Sequence, residues 1–265
     1  MGTPKKKTAI AKKQPTELAL ASQYEENAGA GFEEADRDAF AIPFLAVLQS
    51  NSPQCSKAEG EYIKGAEQGF LFNSVSQEVF DPEDQNVEII PCHYSRSFIE
   101  WKARGDGGGG LVAIHNVADG IELMKQTTKD DKNKDALPNG NILVDTRQHF
   151  CLLVVNGEAT PVVISMSSTQ MKKSKKWMTV MQNIKMARPN GTTFTPPMFA
   201  YHYTVETVPE SNDQGSWFGW KITIGELVVE NELFEQAKAF RDAVVAGEAK
   251  AVPPEGEESE EREHF

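Results

Sequence analysis

Two apolar runs joined by a two-residue turn constrain this chain more than any other feature. Phe150-Cys151-Leu152-Leu153-Val154-Val155 leads into Asn156-Gly157, and Pro161-Val162-Val163-Ile164-Ser165-Met166 follows. Asn-Gly supplies the positive φ angles of a tight hairpin turn, and β-branched residues on either side favour strands. Further strand signals lie at residues 69–73, 87–94, 97–102, 198–208 and 216–229, with Ser211–Gly215 as a turn. Pro91 predicts an edge or a bulge in its strand. Two helices are predicted. One spans about 169–187, capped by Ser168 or Thr169, with Met171, Ser174, Met178, Met181 and Ile184 at helical spacing. The other spans 232–246, capped by Asn231, with Leu233, Phe234, Ala237, Phe240 and Val244 on its buried side. Many strands with one internal and one terminal helix predict a mainly β, α+β fold. An OB-like mixed barrel fits this pattern better than an alternating βαβ sheet.

The predicted organisation is a flexible N-terminal arm over 1–38, a domain over 39–248 and a disordered acidic tail over 249–265 that ends in Phe265. Within the domain, about 104–147 is Gly-rich and then polar, and predicts a surface insertion. The net charge is −12. The arm carries Lys5, Lys6, Lys7, Lys12 and Lys13 without an acid, and residues 255–265 carry six Glu and one Arg. These ends cancel, so the body is itself acidic, and any nucleic-acid binding must use a local patch.

Several classes are excluded or disfavoured. No apolar run approaches the ~18–20 residues of a membrane span, so no membrane partner is expected. Cys55, Cys92 and Cys151 are few, odd in number and far apart, which points to a reducing, cytoplasmic setting. Cys92-His93 and His149-x-Cys151 read as buried strand residues rather than zinc ligands, so no metal or cofactor is expected. The run Gly105–Gly110 lacks the Lys-Ser/Thr of a phosphate loop, and no H-E-x-x-H or G-x-S-x-G occurs. Lys129, Lys132 and Lys134 alternate with Asp130, Asp131 and Asp135 and read as a solvated loop. The chain is therefore not expected to be an enzyme.

Three constellations remain. The first is Met171-Lys172-Lys173-Ser174-Lys175-Lys176-Trp177, which with Lys185 and Arg188 places six positive charges and no acid between Met171 and Asn190. Lysines neutralise phosphates without reading sequence, and an adjacent indole can stack an unpaired base. The plain alternative is a solvated helix face with Trp177 in the core. The second is Tyr94, Arg96, Phe98, Glu100 and Lys102, alternating along a strand with Trp101 on the other face and Arg104 beyond. Tyr201 belongs to a similar row, and packing alone would also account for such rows. The third is the tail, where Glu257, Glu258, Glu260, Glu261 and Glu263 precede Phe265. It has no apolar content to offset chain entropy. Acids can mimic phosphates and the ring a base, or the ring can enter a partner's pocket.

An OB-type domain followed by an acidic tail with a terminal Phe resembles the single-stranded DNA-binding proteins of bacteria and tailed phages. Ile42–Gln49, Phe98-Ile99-Glu100-Trp101 before the Gly-rich loop, Ser168-Thr169-Gln170 with the lysine cluster, and the closing helix are similar to a phage family of such proteins. The insertion over 104–147 and the Lys-rich arm depart from that pattern. The resemblance implies sequence-nonspecific binding of single-stranded DNA in the host cytoplasm during phage replication, recombination and repair. It also implies contacts through the tail with a phage or host polymerase, helicase or nuclease. On this reading Lys172, Lys173, Lys175, Lys176, Lys185, Arg188, Arg96, Lys102 and Arg104 contact phosphates, and Trp177, Trp101, Tyr94 and Tyr201 are candidate stackers. A homodimer is compatible with it. The competing expectations are an assembly protein with an acidic docking tail and, behind it, a metal-dependent nuclease.

Overall fold

The strand signals between residues 87 and 166 condense into the centre of one large antiparallel sheet. The computed structural model describes residues 24–25, 27–35, 39–102, 110–213, 215–249 and 251. It divides the chain into Met1–Ala39 and Phe40–Phe265. Lys5–Lys13, Arg104 and residues 252–265 of the tail, Phe265 included, lie outside the described residues, whereas Ala249 and Ala251 pack against the core beneath α3. In the first unit, the described residues form successive turns, with the Asn27 N–H donating to Tyr24 O at 3.0 Å and the Phe32 N–H to Gly29 O at 3.1 Å.

In the second unit, the strands in chain order are β1 (Leu45–Val47), β2 (Leu71–Asn73), β3 (Val79–Phe80), β4 (Glu88–Trp101), β5 (Leu111–His115), β6 (Thr128–Lys129), β7 (Asp135–Ala136), β8 (Ile142–Val155), β9 (Glu158–Met166), β10 (Met186–Ala187), β11 (Thr193–Phe194), β12 (Tyr201–Asn212) and β13 (Gly215–Leu227). Three helices accompany them among the described residues: α1 (Val117–Met124), α2 (Met171–Asn183) and α3 (Asn231–Ala246). The large sheet runs β13-β12-β4-β8-β7-β6, with β9 also on β8 and β5 also on β4. The β8–β9 turn has φ of 53° at Asn156 and 83° at Gly157, the left-handed pair that a two-residue hairpin demands.

Alternation along the central strands builds two cores. Ile89, Cys151, Leu153, Val162 and Ile164 face one way, toward Leu45, Leu71, Trp177, Met181, Tyr203 and Trp220. Ile90, Phe150, Leu152 and Val163 face the other, beneath Ala237 and Phe240 of α3. Burial on both faces explains why 150–155 reads as an unbroken apolar run. Pro91 marks a bulge: the β4–β8 register passes from Pro91↔Cys151 to His93↔Phe150, leaving Cys92 extra. The runs 87–94 and 97–102 are one strand, and polar Ser95 and Arg96 lie within it.

The α+β class stands, but the strands do not close into the expected barrel. The short sheet β1-β2-β3 is separate from the large one. It joins β9 through a parallel bridge between Phe44 and Val163 and approaches β13 on its other side. There the seam is closed by side chains. Gln49 Nε2 donates to Phe218 O at 2.9 Å, and the Phe218 N–H donates to Gln49 Oε1 at 2.8 Å. Thr207 Oγ1 donates to Gly69 O at 2.7 Å. An amide group stands where a barrel would have a backbone ladder, so the sheet stays open along this line.

The segment assigned to a surface insertion is largely structured, since β5, α1, β6, β7 and the first half of β8 fall within it. The Asn116 side chain caps α1, accepting from the Asp119 N–H at 3.0 Å. The helix seals the end of β4, with Phe98, Leu137 and Leu143 buried against Leu123 and Met124. Gly120 lies directly on the Phe98 ring, where a methyl group would overlap the ring carbons. Gly120→Ala is therefore expected to overpack this contact and cost about 1–3 kcal/mol. Thermal unfolding checks it, at roughly 2–4 °C per kcal/mol for a chain of this size. An unchanged midpoint would mean that α1 does not press on β4. Among the described residues, no helix is long and apolar enough to cross a membrane.

Candidate nucleic-acid interface

The basic helix forms, and its faces divide the lysines. Ser174, Trp177 and Met181 are buried, while Lys172, Lys175 and Lys176 are exposed. Lys173 turns back onto the sheet and pairs with Glu210 at 2.8 Å. Burial opposes the Glu210 charge, but Lys173, the Trp217 Nε1–H at 3.0 Å and Gln170 outweigh it and hold the carboxyl below its usual range. Gln170 also accepts from the Trp220 N–H at 3.2 Å, which ties the start of α2 to β13.

Of the expected stackers, the two tryptophans are buried and the two tyrosines partly so. Trp177 is 4% exposed, with His149 stacked on it at 4.5 Å and Tyr203 edge-on at 5.7 Å. Trp101 is 3% exposed. Tyr94 is half-buried against His149, and half-buried Tyr201 packs on the core. Arg96 is committed to Asp145, with Nε–Oδ1 at 3.0 Å and Nη2–Oδ2 at 2.8 Å, and it lies over the Phe98 ring. Arg147 binds the same carboxylate. Burial works against the Asp145 charge, and the two guanidinium groups overcome it and keep the carboxyl low. Lys185 and Arg188 hold the β10–β11 hairpin, bonding to Thr195 and to Thr193 O. Lys102 is exposed at the end of β4.

A different surface gathers lysines, with Asp135 and Asp145 among them, and adjoins a group of rings. On the side of β8 away from β4, β7 pairs at Ile142 and β9 pairs from Arg147 onward. Leu143–Thr146 has no strand neighbour there among the described residues. This four-residue notch, about 13 Å of strand, forms a cleft of about 470 Å3. One wall is the β6–β7 hairpin with Lys129, Lys132 and Lys134. The other is the β9–α2 junction, Ser165 and Ser167 to Met171, and Ile99 and Trp101 contribute to the lining. Asp130 is spent on the hairpin backbone, accepting from the N–H of Lys132 at 2.9 Å and of Lys134 at 2.7 Å. Asp135 pairs with Lys129 at 3.0 Å.

A second cleft of about 100 Å3 follows the seam and is lined by Gln49, Gln170, Trp217, Phe218 and Trp220. The two clefts share Ser165 and Ser167 in their linings and so adjoin at the end of β9; the pair is called the trough below. Lysines line one cleft and half-buried Trp217 and Phe218 the other. Neither Trp217 nor Phe218 stands out in the sequence, and the hairpin lysines read there as a solvated loop. The signal for the lysines was present but masked, because the neighbouring aspartates cancel them in a charge count.

Among the described residues, no three His, Cys, Asp or Glu side chains come together as metal ligands. Cys92 and Cys151 lie in cores on opposite faces of the sheet.

The architecture defines an open-sheet α+β protein with a surface trough. The chain belongs to the Pam3 phage gp34-like protein family, whose profile matches residues 8–250. No curated protein and no solved structure matches it.

Proposed function

We propose that this phage-family protein binds single-stranded DNA without sequence preference, with the strand lying in the trough. The observation that carries the reading is that the two clefts share Ser165 and Ser167, with Lys129, Lys132 and Lys134 lining one and Trp217 and Phe218 lining the other. Lysines that contact phosphates position a strand without reading it, and rings that stack bases accept every base. A recessed cleft suits unpaired bases; in a duplex the base faces are already covered. Lys172, Lys175 and Lys176 are exposed on α2, whose first residue, Met171, lines the larger cleft, and they add cationic surface beyond it. Such a protein would coat single strands during phage replication and recombination and hand them to a polymerase, helicase or nuclease, with the acidic tail as the contact.

Titration of labelled oligo-dT and of a matched duplex across a salt series tests the reading. Binding of the single strand is expected to exceed that of the duplex. If about four to six phosphates are neutralised, log K should fall against log salt with a slope near −3 to −4, at about −0.7 per phosphate. Absence of single-strand binding at low salt would remove the proposal.

A further inference from the structure

Lys173 is the lysine of the α2 run that turns inward, and its partner also holds a ring. Glu210 stands directly opposite Trp217 in the β12–β13 ladder. One of its carboxylate oxygens lies 2.8 Å from Lys173 Nζ. The other accepts from the Trp217 Nε1–H at 3.0 Å and from Gln170 Nε2 at 3.4 Å. Trp217 is partly buried, lines the smaller cleft and follows closely on Gly215, where the β12–β13 hairpin closes. Gly219 makes room for this arrangement. Glycine weakens a strand interior and marks a close approach. A Cβ on Gly219 would overlap Glu210 Oε2 and Lys173 Nζ and crowd Gln170 Nε2. The three polar heads therefore fill the space that a side chain would take.

We propose that Lys173 and Glu210 are positioning residues, which hold the Trp217 ring as a stacking platform for an unpaired base, and that Lys173 is not itself a phosphate contact. The role rests on the trough reading. A tryptophan beside a turn must be ordered before it can stack, and ordering it in advance removes that entropy cost from binding. A hydrogen bond to Nε1 lies in the plane of the ring, so it fixes the indole without covering a π face. Lys173 acts at one remove, because its charge steadies the partly buried carboxylate that accepts from the ring. An ammonium that left for a phosphate would strip that carboxylate of its cation. The two roles predict opposite signs. If Glu210 only neutralised a phosphate-binding lysine, Glu210→Leu would free Lys173, tighten oligo-dT binding and steepen the salt slope by about 0.7. If Glu210 positions the ring, the same change should weaken binding by about fivefold, the low end of what one stacked base contributes. It should do so although a negative charge is removed.

The test uses the full chain, unmodified and with Glu210→Leu, Glu210→Gln or Lys173→Met, and thermal melting verifies that each variant folds. Oligo-dT is titrated across a salt series, and proton–nitrogen correlation spectra are taken of the isotope-labelled protein without DNA. Trp217→Phe assigns the indole N–H resonance of Trp217. That resonance should move upfield in Glu210→Leu and stay in place in Glu210→Gln, whose carboxamide oxygen can still accept from Nε1. Affinity should follow the same order, with Glu210→Gln close to the unmodified chain. Lys173→Met keeps the carboxylate and covers the case in which Glu210→Leu does not fold. It should lose affinity at an unchanged salt slope, whereas loss of a phosphate contact would make the slope shallower by about 0.7. With the unmodified chain binding, three results would each overturn the role alone: equal or tighter binding by Glu210→Leu, an indole resonance that this change leaves in place, or a shallower slope in Lys173→Met. Failure of the unmodified chain to bind oligo-dT at low salt would remove the trough reading and this role with it.

Discussion

Lowering the pH from 7 to 5 is expected to cost the fold about 2 kcal/mol, and His149 is the principal cause. Its side chain is wholly buried, stacked on Trp177 and tilted against Tyr94, with Nε2 2.8 Å from Ser174 Oγ. Nδ1 finds no hydrogen-bond partner among the described residues. Burial, and then the nearby Arg147 charge, push its pKa down to about 3. In the unfolded chain an imidazole titrates near 6.5. Between these values the unfolded state binds the extra proton, so stability is complete above pH 6.5 and falls as the pH drops toward 3. The loss is about 1.4 kcal/mol per pH unit, or on the order of 4–5 kcal/mol across the window. His93, lowered by burial and by Arg241, acts in the same direction. The low-lying carboxyls of Glu100, Asp145 and Glu210 also weaken the fold on acidification, but below their ordinary values near 4. Urea unfolding at pH 7 and pH 5 therefore isolates the histidines. His149→Gln can still bond to Ser174 and does not titrate, so most of the difference should vanish. A wild-type stability that is flat between these pH values would show that His149 is not buried in its neutral form.

The same histidine marks where sequence and structure part. The hairpin at Asn156-Gly157, the Pro91 bulge and both major helices were legible because each rests on local chemistry: a φ requirement, a missing N–H, an apolar period. Trp177 was also legible in principle. It stands three residues after Ser174 and four before Met181, both on the face assigned to the core, yet the lysines around it suggested an exposed ring. Helical spacing outweighs neighbouring charge, because a ring on the apolar stripe gains more by burial than nearby lysines can offer it. The seam could not be read in this way. Gln49 and Phe218 are 169 residues apart, and nothing local marks a glutamine whose amide will stand in for a strand neighbour. Nor could the notch be read, since it exists only because β7 and β9 stop short of each other along β8. The length of β4 was hidden by Arg96, which becomes tolerable within a strand when Asp145 is placed across from Phe98 to neutralise it.

This division of the aromatic residues yields the sharpest test of the trough. Trp217→Ala should weaken oligo-dT binding by about 1–3 kcal/mol, roughly fivefold to more than a hundredfold, with a smaller stability loss than Trp177→Ala, because the ring is only partly buried and its main structural tie is the Nε1–H bond to Glu210. Trp177→Ala should instead lower stability by about 3–5 kcal/mol and lose binding only through unfolding. Replacing Lys129, Lys132 and Lys134 together by Ala should make the salt slope shallower by about 2, at about 0.7 per lost phosphate contact. The affinity loss should be largest at low ionic strength, where released counterions contribute most. Replacing Lys172, Lys175 and Lys176 provides the comparison, since these lysines share the same net charge change but stand on α2, beyond the larger cleft. If that triple change abolishes binding while the hairpin lysines and Trp217 prove neutral, the strand follows the helix and not the notch. The effects of Trp217 and the hairpin lysines should also add, since the two ends of the trough share no partner. A short oligonucleotide that reaches only one end should then respond to one set of changes and not the other.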